Sequence, residues 1–412
     1  MTAPILFYII ISILVLSYIV DLVMSYLNAR HAKKPIPALL NDVYTEQEYL
    51  RSQDYKITKD LFDTYTATFS LLLTLAFFFL DGFSILDQWA RTFTDSSIGV
   101  ALIFFGAIML ASDLLNTPFE YYSTFVIEEK FGFNKMNRTT FFLDKLKGWV
   151  MGIIIGGGLL ALIIWIYEAT QNLFWIYAWG VITLFSVVMN MFYARFIVPI
   201  FNKQTPLEEG NLRNQIEAYA SKVGFSLTHI FVIDGSKRST KANAYFSGLG
   251  HEKRITLYDT LINDLEETEI VAVLAHEVGH YKRKHIITNL LLSIVVTGIT
   301  LWLFSLCLAQ PIIAQAVGVE TPSFHVGMVV FGILYAPISA VTGFFMNALS
   351  RKHEYEADQY AAETYEAESL ISSLKKLSKN SLSNLTPHPL YVQLNYSHPT
   401  LLQRVVHLRK GI

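Results

Sequence analysis

One cysteine, Cys307, is the whole thiol content of the chain, and it lies inside an apolar run. That excludes an intramolecular disulfide and any cysteine-rich zinc site. An excess of charge is missing too. Lys and Arg number 32 against 34 Asp and Glu, a formal net charge of −2, so nothing electrostatic calls for a nucleic-acid partner. The N-terminus has neither a basic n-region nor a small-residue cleavage site. The first apolar run, from Ile5, is therefore expected to stay as a membrane span and not to leave as a signal peptide. The runs show no inverted repeat and few embedded charges, which argues against a carrier or receptor with an incidental metal.

What the chain has in quantity is apolar surface. Hydrophobic residues make up 52% of the chain and aromatics 14%, with a mean hydropathy of +0.38, beyond the range of ordinary soluble domains. Residues 5–24, 66–86, 97–115, 149–167, 173–194, 287–309 and 325–348 form seven runs of the length a bilayer requires. The connections alternate in Lys and Arg, with six, one, five, none, eleven and none in chain order, and eight in the tail from 349. That asymmetry predicts an N-terminus outside, with 201–286 and the tail in the cytoplasm. The expected division is 1–200 for spans one to five, 201–286 for a cytoplasmic catalytic segment, 287–348 for spans six and seven, and 349–412 for a helical tail.

The 201–286 segment carries the chemistry. Val273 to His280 reads V-L-A-H-E-V-G-H, an H-E-x-x-H pattern in a run with helical character. At 100° per residue His276 and His280 lie one turn apart on one face, so two imidazoles can reach one ion. Two neutral imidazoles favour zinc, and Glu277 stands beside them, placed to take a proton from water activated by the metal. Asp264 with Glu267 is expected to form a capping box at the helix start, and Lys282, Arg283 and Lys284 crowd its end, where cations are favoured. Ahead of it, 229–234, 243–249 and 254–258 read as short strands punctuated by Gly235, Gly248 and Gly250. An exposed edge of such a sheet can hold an extended peptide.

A catalytic zinc takes three protein ligands. After the seventh run, Ser350 to Tyr360 reads S-R-K-H-E-Y-E-A-D-Q-Y, and Glu354 and Asp358 share a helical face one turn apart, with Glu356 about 200° from Glu354. Glu354 is assigned as the third ligand and Asp358 as the carboxylate that fixes a ligand histidine's tautomer. The plain alternative is a solvated acidic helix. His353 points off that face and is expected at the surface. His31, His251, His285, His325, His388 and His407 have no partner pattern and are left structural.

Joined to H-E-x-x-H and seven spans, Glu354-x-x-Ala357-Asp358 after Ser350-Arg351 resembles the type I CAAX prenyl endopeptidase family. Phe125-x-Ile127-Glu128-Glu129-x-x-Gly132-Phe133-Asn134, a stretch otherwise read as an interfacial helix and turn, is similar to that family's own signature. So are Asn243-Ala244-Tyr245 and Tyr396-Ser397-His398-Pro399. The resemblance implies a mainly α membrane protein of seven transmembrane helices around an intramembrane chamber. It also implies a gluzincin-like zinc domain that contains a small β-sheet. One zinc ion per chain is implied on His276, His280 and Glu354, with Glu277 as base and Asn243 and His398 beside the metal as oxyanion or substrate contacts. Tyr245, Arg351 and Arg404 are implied as support in the same surroundings.

The implied partners are membrane lipid and a peptide or protein substrate, prenylated in the family's case, and no nucleic acid. A compact chain ending Arg409-Lys410-Gly411-Ile412, without a dibasic retrieval-like end, suggests a bacterial member in the cytoplasmic membrane; a eukaryotic member would sit in the endoplasmic reticulum. The rival enzyme reading is a quality-control protease resembling the HtpX family, which has fewer spans and lacks the 117–148 segment. In the fourth span, Gly152 and Gly156-Gly157-Gly158 predict close helix packing.

Overall fold

The computed structural model describes residues 1–32, 34–227, 229–247 and 254–410. Residues 248 and 249 of the expected 243–249 strand, with Gly250 and His251 beyond it, lie outside the described residues. Helix α1 (Ala3–His31) leads through a short connection to α2 (Glu46–Phe79), which starts on a capping box between Thr45 and Glu48. The polar stretch ahead of the second apolar run and that run itself are thus one continuous helix. Asp81, left-handed at φ 54°, turns the chain into α3 (Gly82–Arg91), and α4 (Ser97–Tyr122) follows. Helix α4 does not stop where the sequence turns polar. A wide π turn at Ser123–Glu128 carries it on, with Pro118 inside.

Helices α5 (Arg138–Met151), α6 (Gly158–Thr170), α7 (Phe174–Phe196) and α8 (Val198–Phe201) form a nearly unbroken helical run. It turns at Gln171, where φ is 47°. Ile163, Ile164, Phe174 and Ala178 then pack into one cluster, which lays α6 beside α7. Six helical runs among the described residues are long and apolar enough to cross a membrane. The expected seven separate runs appear as six, because 149–167 and 173–194 fall within one run, 138–201, which turns back at Gln171 and so contains both. The glycine expectation is corrected as well. A Cβ on Gly152, Gly156 or Gly158 would meet nothing within 4 Å, and the segment Gly152–Gly157 is itself a π turn. Close approach occurs instead at Gly298, whose added Cβ would stand 2.9 Å from the Trp179 ring.

Past α8 the chain leaves the apolar helices. Strand β1 (Gln204–Pro206), helix α9 (Asn211–Lys222), β2 (His229–Ile233), β3 (Ala244–Ser247) and β4 (Arg254–Tyr258) build a four-stranded sheet in the order β1-β2-β4-β3. β2 pairs parallel with β4, and β3 pairs antiparallel with it, Tyr245 opposite Thr256. β1 is too short to show a period-2 pattern, so only the fold reveals it. β3 lies at the sheet edge.

Then come α10 (Asp259–Asp264), α11 (Glu267–Lys282), α12 (His285–Leu308), α13 (Ile312–Gln315) and α14 (Phe324–Thr364). Helices α15 (Ala367–Asn380), α16 (Pro389–Asn395) and α17 (Leu401–Lys410) complete the chain. The helix expected to open at 350 is the end of α14, a single helix of 41 residues, about 60 Å long at 1.5 Å per residue. The third candidate ligand is thereby carried rigidly on a helix that begins at the far side of the apolar layer.

Three cores hold the molecule. One surrounds α11, where Ile270, Val271, Leu274, Ala275 and Val278 pack with α9, the sheet, α15 and α17. Two smaller ones lie among the apolar helices. The 125–135 stretch joins the parts. Tyr55 donates to Glu128 at 2.7 Å, Lys241 reaches Glu128 at 3.0 Å, and the Thr240 amide donates to the Phe133 carbonyl.

Candidate metal centre

The local start of α11 fixes everything downstream. Its capping box is Glu266 with Glu269, two residues beyond the expected Asp264 and Glu267, because α10 ends at Asp264 and Leu265 stays extended. Asp264 instead accepts from Asn380. Glu269 also accepts from Ser372 at 2.6 Å and Lys376 at 2.8 Å, which pins the first turn to α15. Burial pushes the Glu269 pKa up, but these donors outweigh it and hold the carboxyl below its usual range.

His276 and His280 face each other one turn apart, with Nε2 atoms 3.2 Å from one another. Glu354 closes the figure. Its Oε2 lies 3.4 Å from His276 Nε2, and its Oε1 lies 3.2 Å from His280 Nε2. Tetrahedral zinc bonds of about 2.0–2.1 Å separate neighbouring donors by about 3.3–3.4 Å, so each imidazole nitrogen stands from the other, and from one oxygen of the Glu354 carboxylate, at the spacing a small cation imposes. Glu354 Oε2 is buried, with Arg404 Nη1 3.6 Å away and, among the described residues, no closer donor than His276 Nε2.

Charge points the same way. With both imidazoles neutral, as ligands must be, Glu277, Glu354 and Asp358 against Arg404 leave two negative charges, the complement of a divalent ion. For His276, burial and Arg404 press the pKa down, yet the carboxylates of Asp358 and Glu354 prevail and raise it to about 9. The cluster draws positive charge, and a metal ion would displace that proton.

Asp358 is fully buried, with Oδ1 2.9 Å from His276 Nδ1. It also takes the Arg404 guanidinium, Nε at 2.8 Å. Arg404 is held because α17 starts on its own box: the Thr400 amide donates to Gln403 and the Gln403 amide to Thr400. That T-x-x-Q pattern is legible in the sequence as a capping box.

The remaining candidates divide. His398 Nε2 lies 3.4 Å from Glu354 Oε1 with its side chain 63% exposed, so it stands at the open edge of the triad. Ser397 hydrogen-bonds its Nδ1 at 2.9 Å. Arg351 reaches this stretch by donating to the carbonyls of Val392 and Tyr396. Asn243 and Tyr245 sit apart from the triad's own contacts. Asn243 is exposed, its Oδ1 accepting from the Ala244 amide and its carbonyl from Tyr258. Tyr245 has a buried hydroxyl, and that burial shifts its pKa upward against the opposing effect of Thr256 across the strand pair. It lies on the opposite face of β3 from Phe246, which packs on Tyr281 of α11.

Two histidines contradict the expectation of bystanders. His353 is buried, not at the surface, and lies flat on His285. His285 contacts both His280 and Glu356. Far from the triad, His325 is buried against Asp87 at 2.7 Å, and Asp87 in turn holds Arg91.

Residues 25–203 match the sequence family described as CAAX prenyl protease N-terminal, five membrane helices, and residues 206–412 match peptidase family M48. The chain is similar to CAAX prenyl protease 1 of Saccharomyces cerevisiae, at 34% identity over 93% of this chain and 91% of that one. It is 36% identical to a CAAX prenyl protease 1 homolog of Dictyostelium discoideum, covering 94% and 93%. The crystal structure of S. mikatae Ste24p superposes with a TM-score of 0.93 at 33% identity, covering 98% of both chains.

Proposed function

The chain belongs to the M48 peptidases and carries their CAAX prenyl protease N-terminal region, and from that premise we propose that it is a zinc endopeptidase for prenylated C-terminal peptides, holding one zinc on His276, His280 and Glu354. That it is a membrane metalloendopeptidase with several apolar helices is given by family and fold together. Neither the HtpX-like reading nor that of a non-enzymatic protein is favoured by full-length similarity to CAAX prenyl proteases. The observation that supports the metal assignment is the convergence of the two Nε2 atoms, 3.2 Å apart, with the Glu354 carboxylate, whose two oxygens lie 3.4 and 3.2 Å from one imidazole each.

When bound, zinc supplies Lewis acidity to the scissile carbonyl and lowers the pKa of water. Glu277, half-buried on α11 beside the ligand pair, takes the proton from the attacking water and delivers it to the leaving amine. His398, on the open side of Glu354, donates to the carbonyl oxygen as negative charge grows there. Asp358, backed by Arg404, accepts from His276 Nδ1 and keeps Nε2 bare. β3, which lies at the sheet edge among the described residues, offers that edge to an extended peptide, and Asn243, just before it, offers a side-chain amide to the same peptide. Tyr245 and Arg351 act as supports, one beneath β3 and the other under the 396–398 stretch.

The helices support a chamber for a lipidated substrate. In their most apolar windows only 6–17% of residues are buried, as expected of helices that stand apart and face lipid or an open interior. The Lys and Arg asymmetry supports a cytoplasmic catalytic side, in a bacterial cytoplasmic membrane or, for a eukaryotic source, the endoplasmic reticulum.

The test is a purified full-length sample in detergent given a farnesylated CAAX peptide and its unprenylated twin, with products read by mass spectrometry. Faster, chelator-sensitive cleavage of the prenylated peptide is expected. Equal rates on both would remove the prenyl requirement alone, and cleavage untouched by chelator would remove the metal.

A further inference from the structure

His280 presents Nε2 to the triad, and its other ring nitrogen meets an arrangement that the peptidase chemistry above leaves unused. Nδ1 of His280 lies 3.1 Å from Nδ1 of His285, and Nε2 of His285 lies 2.8 Å from Oε2 of Glu356. His285 is buried, and its ring lies parallel to that of buried His353, with centroids 4.0 Å apart and planes 9° from parallel.

Only one placement of protons satisfies both contacts with neutral rings. A carboxylate can only accept, so His285 Nε2 carries the hydrogen and donates to Glu356. His285 Nδ1 is then bare and accepts, which puts a hydrogen on His280 Nδ1. His280 Nε2 is left as a lone pair facing the metal position. Asp358 imposes the same tautomer on His276 directly, through Nδ1. Glu356 does so for His280 at one remove.

The backbone is shaped for this contact. Lys284, left-handed at φ 61°, separates α11 from α12, a conformation disfavoured for any residue with a Cβ. That single residue brings His285, the first of α12, back against His280. Across from it, 356, 353, 357, 354 and 358 follow one another around an arc of about 200° on α14. The helix therefore serves both ligand histidines, Glu354 and Asp358 from one side of the arc and Glu356 and His353 from the other.

We propose that His285 and Glu356 are positioning residues for His280. They fix its tautomer and ring orientation and thereby set the affinity of the site for its metal, with His353 keeping the His285 ring in plane. The proposal rests on His280 being a ligand.

Full-length protein in detergent, stripped by chelator, is titrated with Zn2+ against a competing chelator and with Co2+ followed by visible absorption. His285→Leu removes the acceptor while filling the space. It is expected to weaken zinc binding about 10- to 100-fold and to change the Co2+ spectrum. His285→Gln, whose side-chain oxygen can accept from His280 Nδ1, should recover most of the loss. Glu356→Leu, which frees His285 to switch tautomer, should fall between wild type and His285→Leu. Wild-type affinity and spectrum in His285→Leu, or no recovery in His285→Gln, would overturn the proposal. Should His285→Leu fail to give a monodisperse protein, Glu356→Leu decides alone, and wild-type affinity there overturns it. His280→Ala separates the two readings: undiminished zinc binding in that variant removes His280 as a ligand, whereas lost binding there with an unaffected His285→Leu removes only the relay.

Discussion

Gly279 of α11 and Ala357 of α14 meet backbone against backbone. A Cβ built on Gly279 would stand 3.1 Å from both the Cα and the carbonyl oxygen of Ala357, tighter than ordinary contact allows. The glycine lets two helices approach closely enough for a carboxylate on one to complete a site with two imidazoles on the other. Gly279→Ala is expected to destabilise the protein by about 1–3 kcal/mol through overpacking and to lower bound zinc. Gly279→Val should do both more severely. Melting curves and elemental analysis of the purified variants give the answer, and full zinc occupancy in Gly279→Val would show that the close approach is dispensable.

Glu277→Gln should retain stoichiometric zinc and lose about 10²–10⁴ in turnover, the range for removal of a general base. Zinc content and single-turnover cleavage, measured on the same sample, separate the two effects. Intact turnover would take the role of base away from Glu277.

Glu354→Ala should lose the metal outright. Asp358→Asn should keep it with an affinity about 10- to 100-fold weaker, because a ligand histidine loses the acceptor that orders it. Competition titration distinguishes them. A Glu354→Ala protein with one zinc per chain would contradict the ligand assignment.

Arg351→Ala unties the carbonyls of Val392 and Tyr396 from α14 and so loosens His398. Zinc should remain, and kcat should fall by up to about 10²-fold, the scale for misplacing a catalytic group by an ångström. A variant with unchanged kcat would leave His398 positioned by other means.

Glu269 ties the stability of the metal helix to pH. Its folded pKa lies below the usual value, with Lys376, Ser372 and the Glu266 amide overcoming burial. A depressed carboxylate contributes stability that is complete above its unfolded pKa and lost as pH falls through the folded one. Glu269→Gln should therefore melt below wild type at pH 7, and the gap should narrow below about pH 4.3, the ordinary Glu value. Melting temperatures of both proteins from pH 7 down to about pH 3 provide the check; a gap that stays constant would assign the contribution to hydrogen bonding alone.

The distance between sequence and structure differs from residue to residue. His276, Glu277 and His280 are readable because an α-helix fixes i and i+4 on one face whatever surrounds it. The apolar runs are readable because bilayer thickness sets a length. His285 and His353 could not be found in this way. One depends on a left-handed Lys284 and the other on which arc of a 41-residue helix faces its neighbours, and neither has a periodic signature. The break between α4 and the polar stretch after it was expected from composition, but a π turn absorbs the change without ending the helix.

The sequence by itself determined that this is a helical membrane chain with a two-histidine metal motif, since hydropathy and helical spacing are local properties carried by neighbouring residues. Tertiary structure decided where Glu354, Asp358, Arg404 and His398 come together, which histidines serve the site, and how closely α11 approaches α14. Those depend on contacts between segments far apart in the chain, 46 residues for Arg404 with Asp358 and 71 for His285 with Glu356, and the packing of a glycine against a distant backbone sets how closely two such segments approach.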